Sequence, residues 1–296
     1  MALNQLPADY ALRGITDDGY VRFWVVCTTE LVRDAKRRHQ TSPAATIALG
    51  RVLTGALILG QTLKAAGETV TLRIEGDGPL VSLTAVSDAS GAVRGYAAET
   101  QIDFPEIWPG KVDIGFAVGS QGNLHVIKDL GLKEPYRGSV PLETGEIGDE
   151  LARYFLVSEQ TPSAVGLSVL LTPQGEVTAA GGFLIQLLPG APEELAIKLE
   201  QNVANCYPIS ELLSEGFCVE SLANQLLADL PWHTLSQTPL AFACNCNREK
   251  LGAVVKGLGS AELKSILAEQ GQAEIVCRFC DEHYTFTKEQ IEGWLV

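Results

Sequence analysis

The residues best suited to chemistry lie near the C-terminus: Cys244-Asn245-Cys246 and, some thirty residues on, Cys277-Arg278-Phe279-Cys280. Two local pairs of soft sulfur ligands, separated by a segment long enough to fold back, meet the needs of a tetrahedral zinc site. Cys244, Cys246, Cys277 and Cys280 are therefore the candidate ligands of one zinc ion per chain. The second pair has the spacing of an ordinary zinc knuckle. The first has a single intervening residue, which restricts how its two sulfurs reach one metal. The same four residues are also two vicinal dithiols, each able to close on itself once metal leaves. Spacing alone thus admits a static structural zinc ribbon, the commonest use of such a set, a redox switch, or a thiol–disulfide oxidoreductase acting through C-x-x-C. A catalytic zinc is disfavoured, because four thiolates leave no position for water and no H-E-x-x-H or H-x-E partner is present. The oxidoreductase reading lacks the βαβ setting of a thioredoxin-like motif. His283, three residues past Cys280, reads as an exposed histidine rather than a ligand. Cys27, Cys206 and Cys218 stand alone and read as small apolar residues of the interior.

The elements that must hold these sulfurs read as a small unit. Leu251, Val254 and Leu258 mark a short helix, Ser260 caps another that ends at Gly271, QAEIVC rises as a strand into the second pair, and EHYTFT returns. Thr287 and Gln290 form a capping box for a last turn. A unit of about fifty-five residues is marginal on a hydrophobic core alone, and zinc, at roughly 10–16 kcal/mol in zinc-finger peptides, can supply most of its folding energy. Upstream, residues 21–28 read as a strand, and Ser42-Pro43 opens a helix expected to run to about Gly67. Its middle, VLTGALILG, is apolar nearly all round but too short between charges to cross about 30 Å of hydrocarbon, which makes it a core helix. Alternation in 70–75 and 81–86 around GDGP predicts a hairpin, and KVDIGFAVG (111–119) with NLHVIKD extends an antiparallel, one-sided sheet, with Val112, Ile114, Phe116 and Val118 on one face. A helix is expected over 146–160, with Ile147, Leu151 and Phe155 on its stripe, then a strand pair around Gln174-Gly175. Gly181-Gly182 reads as a bulge or close backbone contact, not as a phosphate loop.

From Ala191 to Ala243 the strand patterns stop and three short helical ones appear, over 192–205, 210–215 and 219–230. The segment holds seven Asp/Glu against Lys198 alone among Lys/Arg. Helices this short need a surface to lie on, and the one-sided sheet is the expected one. A net charge of −14 argues against nucleic acid, whose phosphates call for a basic face. The basic run Arg33, Lys36, Arg37, Arg38 and His39, diluted by Glu30 and Asp34, reads as a solvated face or a contact for acidic clients. The N-terminus shows no charged-then-apolar leader with a small-residue cleavage site, so a soluble cytoplasmic protein without a membrane span is expected, with its seven cysteines in a reducing compartment.

The cysteine pairs, together with FWVVCTTELV (23–32), RRHQTSPAATIALGR (37–51), LRIEGDGPL (72–80), YFLVSEQTPS (154–163) and GGFLIQLLPGA (181–191), are ordered motifs across nearly the whole chain. In these the sequence resembles the redox-regulated heat-shock chaperone family. The resemblance implies an ATP-independent holdase rather than an enzyme, idle when reduced and zinc-bound. Oxidation, together with unfolding conditions, would form two disulfides, eject zinc, unfold the linker and expose a surface for unfolded clients, the oxidised form acting as a homodimer. Of three possible connectivities, local pairing of Cys244 with Cys246 and of Cys277 with Cys280 is expected, since closure entropy grows with loop length. The expected architecture is α+β: an N-terminal domain over 1–190 with an antiparallel sheet and packed helices, an acidic helical linker over 191–243, and a zinc-binding redox domain over 244–296.

Overall fold

The computed structural model describes residues 9–102, 106–108 and 111–295, apart from the side chains of 106–108, 111 and 112. The chain forms two compact units, one ending at Phe242 and the other spanning Ala243–Val296. The first is α+β. One of its sheets is antiparallel, in the order β10 (Ser163–Leu171), β11 (Val177–Leu187), β2 (Val21–Cys27), β1 (Tyr10–Thr16), β12 (Trp232–Pro239). The other runs β13 (Ala241–Phe242), β5 (Ala92–Ala97), β4 (Ser82–Asp88), β3 (Thr69–Gly76), β8 (Gly122–Asp129), β9 (Tyr136–Pro141), antiparallel except where β13 joins β5. A short pair, β6 (Glu106–Trp108) and β7 (Lys111–Val112), lies apart from both. The one-sided expectation holds for β3: Val70, Leu72 and Ile74 are buried while Arg73 is exposed.

Helix α2 (Pro43–Gly60) packs against both sheets. It starts with proline at its first turn, as read, but ends at Gly60 rather than near Gly67. There a Cβ would come within 2.5 Å of Ser87 Oγ, and the Thr62 hydroxyl donates to the Leu59 carbonyl at 2.6 Å, turning the chain away. Its apolar length is core: 89% of the helix is buried. At Gly55 a Cβ would stand 2.7 Å from Leu151 Cδ1, with Leu72 and Leu167 within 3.5 Å, so glycine admits both sheets and the helix that carries Leu151 to one spot. That helix, α4 (Ile147–Ser158), buries Ile147, Leu151 and Phe155 as expected.

The basic run lies on α1 (Thr29–His39), a helix the sequence did not announce. Its charges are paired as Glu30–Arg33, Asp34–Arg37, Asp34–Arg38 and Glu176–Lys36. No side chain of its own caps α1. Instead the buried Asp9 carboxylate accepts the N–H groups of Glu30 at 3.1 Å and Leu31 at 2.6 Å, satisfying donors that a helix start leaves open.

Two strand expectations fail. Residues 111–119 are not a strand: after β7 comes α3 (Ile114–Val118), capped by Asp113, whose Oδ1 accepts the Phe116 N–H at 2.9 Å. Ile114, Ala117 and Val118 are buried at helical spacing, and Phe116 is 60% exposed. The side chain of Val112 lies outside the described residues. Nor do strands stop at Ala191. The helices α5 (Glu193–Asn205), α6 (Ile209–Ser214) and α7 (Val219–Leu227) form where expected, but β12 and β13 follow them. β12 is an edge strand, mostly exposed and polar, so it lacks the alternation that marks a half-buried strand.

The second unit contains α8 (Arg248–Lys256), α9 (Ser260–Gln270), a hairpin of β14 (Ala273–Val276) and β15 (His283–Phe286), and α10 (Lys288–Trp294). The capping box of Thr287 and Gln290 is present. The N-cap of α9 is Gly259 rather than Ser260, and α8 turns Gly252 and Val255 inward while Val254 and Leu258 are exposed. The core here is small: Val255, Leu263, Ala273, Phe286 and Ile291.

Candidate metal centre and covered sheet face

The C-x-x-C couple occupies the tip of the β14–β15 hairpin. The Cys277 N–H donates to the Glu282 carbonyl at 2.9 Å, while the Cys277 carbonyl accepts from Cys280 at 3.2 Å and from Asp281 at 2.8 Å, folding the tip into a knuckle. The C-x-C couple comes from the segment just before α8, fixed where Asn247 caps that helix and Lys250 Nζ donates to the Asn245 carbonyl at 2.7 Å. The four sulfurs lie within 4.8 Å of one another. Contacts cross between the couples: Cys244 Sγ is 3.8 Å from Cys277 Sγ, and Cys246 Sγ is 3.4 Å from Cys280 Sγ. A tetrahedron with Zn–S bonds of about 2.3 Å has S···S edges of about 3.8 Å, so the donor set fits zinc in size and softness. Cys277 and Cys280 are buried, and Cys244 and Cys246 half-buried.

Burial pushes the Cys244 thiol up to about 11 and raises that of Cys280. Burial acts the same way on Cys246, but the Tyr284 hydroxyl, 3.3 Å from its sulfur, and the neighbouring thiols outweigh it and bring that thiol below its ordinary value. Tyr284 is the site residue that sequence reasoning missed; a tyrosine four residues past Cys280 on the returning strand was the available signal. His283 does not join the cluster: it is 58% exposed, and its Nδ1 lies 2.8 Å from Glu274. Of the remaining cysteines, Cys27 is buried, while Cys206 and Cys218 are half-buried.

In the first unit, the apolar stripes of α5–α7 rest on the five-stranded sheet, not on the one-sided sheet that was the expected partner. Leu195, Leu199, Ile209, Leu212, Leu213, Val219, Leu222 and Leu226 form one buried cluster with Phe23, Val25, Phe183 and Ile185. The strands β2 and β11 are apolar on both faces, and a second covering layer is what such strands require. Gly181 permits the closest approach: a Cβ there would meet Leu213 Cδ1 at 2.7 Å and Ile209 Cγ2 at 3.1 Å, bearing out the close contact read from Gly181-Gly182. Polar contacts fix α7 as well. Glu220 accepts from the Tyr10 hydroxyl at 2.6 Å and from Gln237 Nε2 at 2.7 Å, and Trp232 Nε1 donates to Asn224 at 3.0 Å.

Fold and site together define an α+β protein with an acidic helical cover on its sheet and a small C-terminal module of four clustered thiols. The family model for Hsp33 protein matches residues 9–287. The 33 kDa chaperonin of Bacillus subtilis (strain 168) is 42% identical over 285 residues, covering 96% of this chain and 97% of that one. The 33 kDa chaperonin of Desulforamulus reducens is 45% identical over 284 residues, 96% of either chain. The crystal structure of the 33 kDa chaperonin (heat shock protein 33 homolog) from Thermotoga maritima matches with a TM-score of 0.91 at 36% identity, over 98% of both chains. The chain belongs to the Hsp33 family of chaperones.

Proposed function

We propose that this chain is a redox-regulated, ATP-independent holdase of the cytoplasm whose client surface is the sheet face beneath α5–α7. The observation that carries this reading is that cover. It hides Phe23, Val25, Phe183 and Ile185 under three helices of at most 13 residues, and helices this short are marginal in water without the surface they cover. In the reduced state Cys244, Cys246, Cys277 and Cys280 hold one zinc ion, and zinc supplies the folding energy that a five-residue core does not. Oxidation closes Cys244 with Cys246 and Cys277 with Cys280, the pairs with the shortest loops. With its ligands tied to each other the module loses metal and fold. The segment 191–243 loses its anchor, and the uncovered face takes unfolded clients, the oxidised protein acting as a dimer. This is an order-to-disorder switch. Domain limits of 1–190, 191–243 and 244–296 describe its working parts.

The alternative is a static zinc-stabilised interaction module. One experiment separates the two: zinc content, disulfide map and suppression of a client's thermal aggregation, measured side by side before and after peroxide at raised temperature. Loss of zinc, the two local disulfides and a gain of suppression are expected together. Retained zinc with unchanged suppression would leave the static module, and a dominant Cys246–Cys277 bridge would sink the local pairing.

A further inference from the structure

The chain carries 22 Lys/Arg against 36 Asp/Glu, and arginines such as Arg33, Arg37, Arg51, Arg73 and Arg153 each have a carboxylate within ion-pair distance. Among the described residues Arg13 and Arg22 have none. Both guanidiniums instead stand 5.6 Å from the centroid of one ring, that of the buried Trp24. Strand pairing sets them there: Arg13 lies opposite Trp24 across β1 and β2, and Arg22 precedes Trp24 by two residues, on the same face of β2. Burial, and then the Arg13 charge, hold the Arg22 guanidinium below its ordinary value, against the pull of Glu159. Glu159 is itself engaged by Lys128 at 2.5 Å and by the Tyr154 hydroxyl at 2.9 Å. Arginine does not shed its proton, so two positive charges share one ring with no anion of their own. Trp24 Nε1, also buried, has no acceptor among the described residues.

Arg22 is oriented in advance. Its Nε donates to Gln186 Oε1 at 2.9 Å, and Gln186, 1% exposed, donates in turn from Nε2 to the Ser163 hydroxyl at 2.9 Å. With Nε spent on the protein, the two terminal nitrogens of the fork remain for an oxyanion. A cavity of about 500 Å³ adjoins Arg22, lined also by Gln160, Thr161, Leu187, Leu188 and Pro189. Its walls are held by the backbone: the Leu188 N–H donates to the Tyr20 carbonyl at 2.8 Å, and that of Leu187 to the Pro162 carbonyl at 3.3 Å. This volume is in the range of small organic ligands rather than of a bare ion, and part of its wall is aliphatic. We propose that Arg13 and Arg22 form a binding site for a phosphate monoester, its dianion shared by the two guanidiniums and its organic part seated in the adjoining cavity. A monoester carries close to two negative charges at neutral pH, which matches two guanidiniums, whereas a carboxylate carries one. The site goes beyond the redox reading above and does not rest on it.

The test titrates the reduced full-length chain with phenyl phosphate, inorganic phosphate and benzoate at constant ionic strength, read by calorimetry and by melting temperature. One phenyl phosphate per chain is expected, raising the melting temperature by mass action and binding at least about tenfold more tightly than inorganic phosphate or benzoate. Arg13→Gln and Arg22→Gln should each weaken it at least about tenfold, and Arg22→Lys, which keeps the charge but not the fork, should weaken it as well. Arg137→Gln removes an exposed charge from β9 and should leave binding unchanged. Weakening of the same size in the Arg13, Arg22 and Arg137 variants would mean general charge attraction and overturns the site. So does the absence of saturable binding, and inorganic phosphate or benzoate bound as tightly as phenyl phosphate overturns the monoester assignment. Should Arg22→Gln melt below wild type before any ligand is added, the exposed Arg13 decides: an Arg13→Gln chain that melts and binds as wild type does overturns the proposal.

Discussion

Cys277 is both a candidate ligand and a pivot of the knuckle, its backbone bonded to Glu282, Cys280 and Asp281. Serine in its place preserves size but exchanges a soft thiolate for a poor zinc ligand. Cys277→Ser should lower zinc affinity by at least about a hundredfold, measured by chelator competition under reductant; unaltered affinity would assign the metal elsewhere. Asp9 carries a second residue-scale expectation. Burial, against the opposing N–H groups of Leu31 and Glu30 and the Cys27 thiol, pushes its carboxyl up to about 6 from 3.8. The folded protein therefore keeps a proton that the unfolded chain has released between those values, and stability falls as pH rises through the interval, by about 3 kcal/mol from this group. Asp9→Asn lacks that titration, so its stability relative to wild type should improve by about that amount between pH 4 and pH 7 in denaturant melts. A difference that does not change with pH would show that Asp9 is not the group involved. The four cysteines were legible because two close pairs are rare and sulfur has few uses. Tyr284 and Asp9 were not: one is an ordinary aromatic in an alternating strand, the other a carboxylate that caps a helix more than twenty residues away.

Among the elements, α7 is one of the three helices that cover the sheet face. Leu222 and Leu226 are fully buried in the cluster beneath it. Leu226→Glu loses the burial of a large apolar side chain and sets a carboxylate among apolar neighbours, together roughly 3–5 kcal/mol against the cover. The variant should suppress thermal aggregation of a client while still reduced and zinc-loaded. A cover shown to be detached by limited proteolysis, with suppression no higher than wild type, would mean that masking is not the switch. The α5–α7 stripes could be read because helical spacing survives in short segments. The α3 segment misled because V-x-I-x-F-x-V alternates like a strand, while Asp113 capping the Phe116 N–H favours a turn of helix at the same place. β12 escaped because its order comes from pairing with β1, from Tyr10 against Pro239 to Thr16 against Trp232, and not from any pattern of its own.

For the whole molecule the two units differ in what sustains them. The first has two sheets around α2, while the second relies on five buried side chains and its thiol cluster. Chelating zinc under reductant should abolish amide protection across Ala243–Val296 while protection in α2 and β2 persists, read by hydrogen exchange; a second unit that stays protected would show that metal is not its main support. That α2 would serve both sheets was not readable, since an all-round apolar helix says only that it is buried. The crosswise seating of the sulfurs has one more consequence. The shortest sulfur contacts run from Cys244 to Cys277 and from Cys246 to Cys280, whereas the proposed disulfides run within each couple. Reducing the disulfides therefore yields two dithiols on separate segments, not a rebuilt site, and the fold must bring them together again before metal can bridge them. Under the proposed switch, removal of the oxidant and return to rest would be separate events in time. The proposed switch would then carry a memory whose length is set by refolding and zinc supply rather than by the reductant.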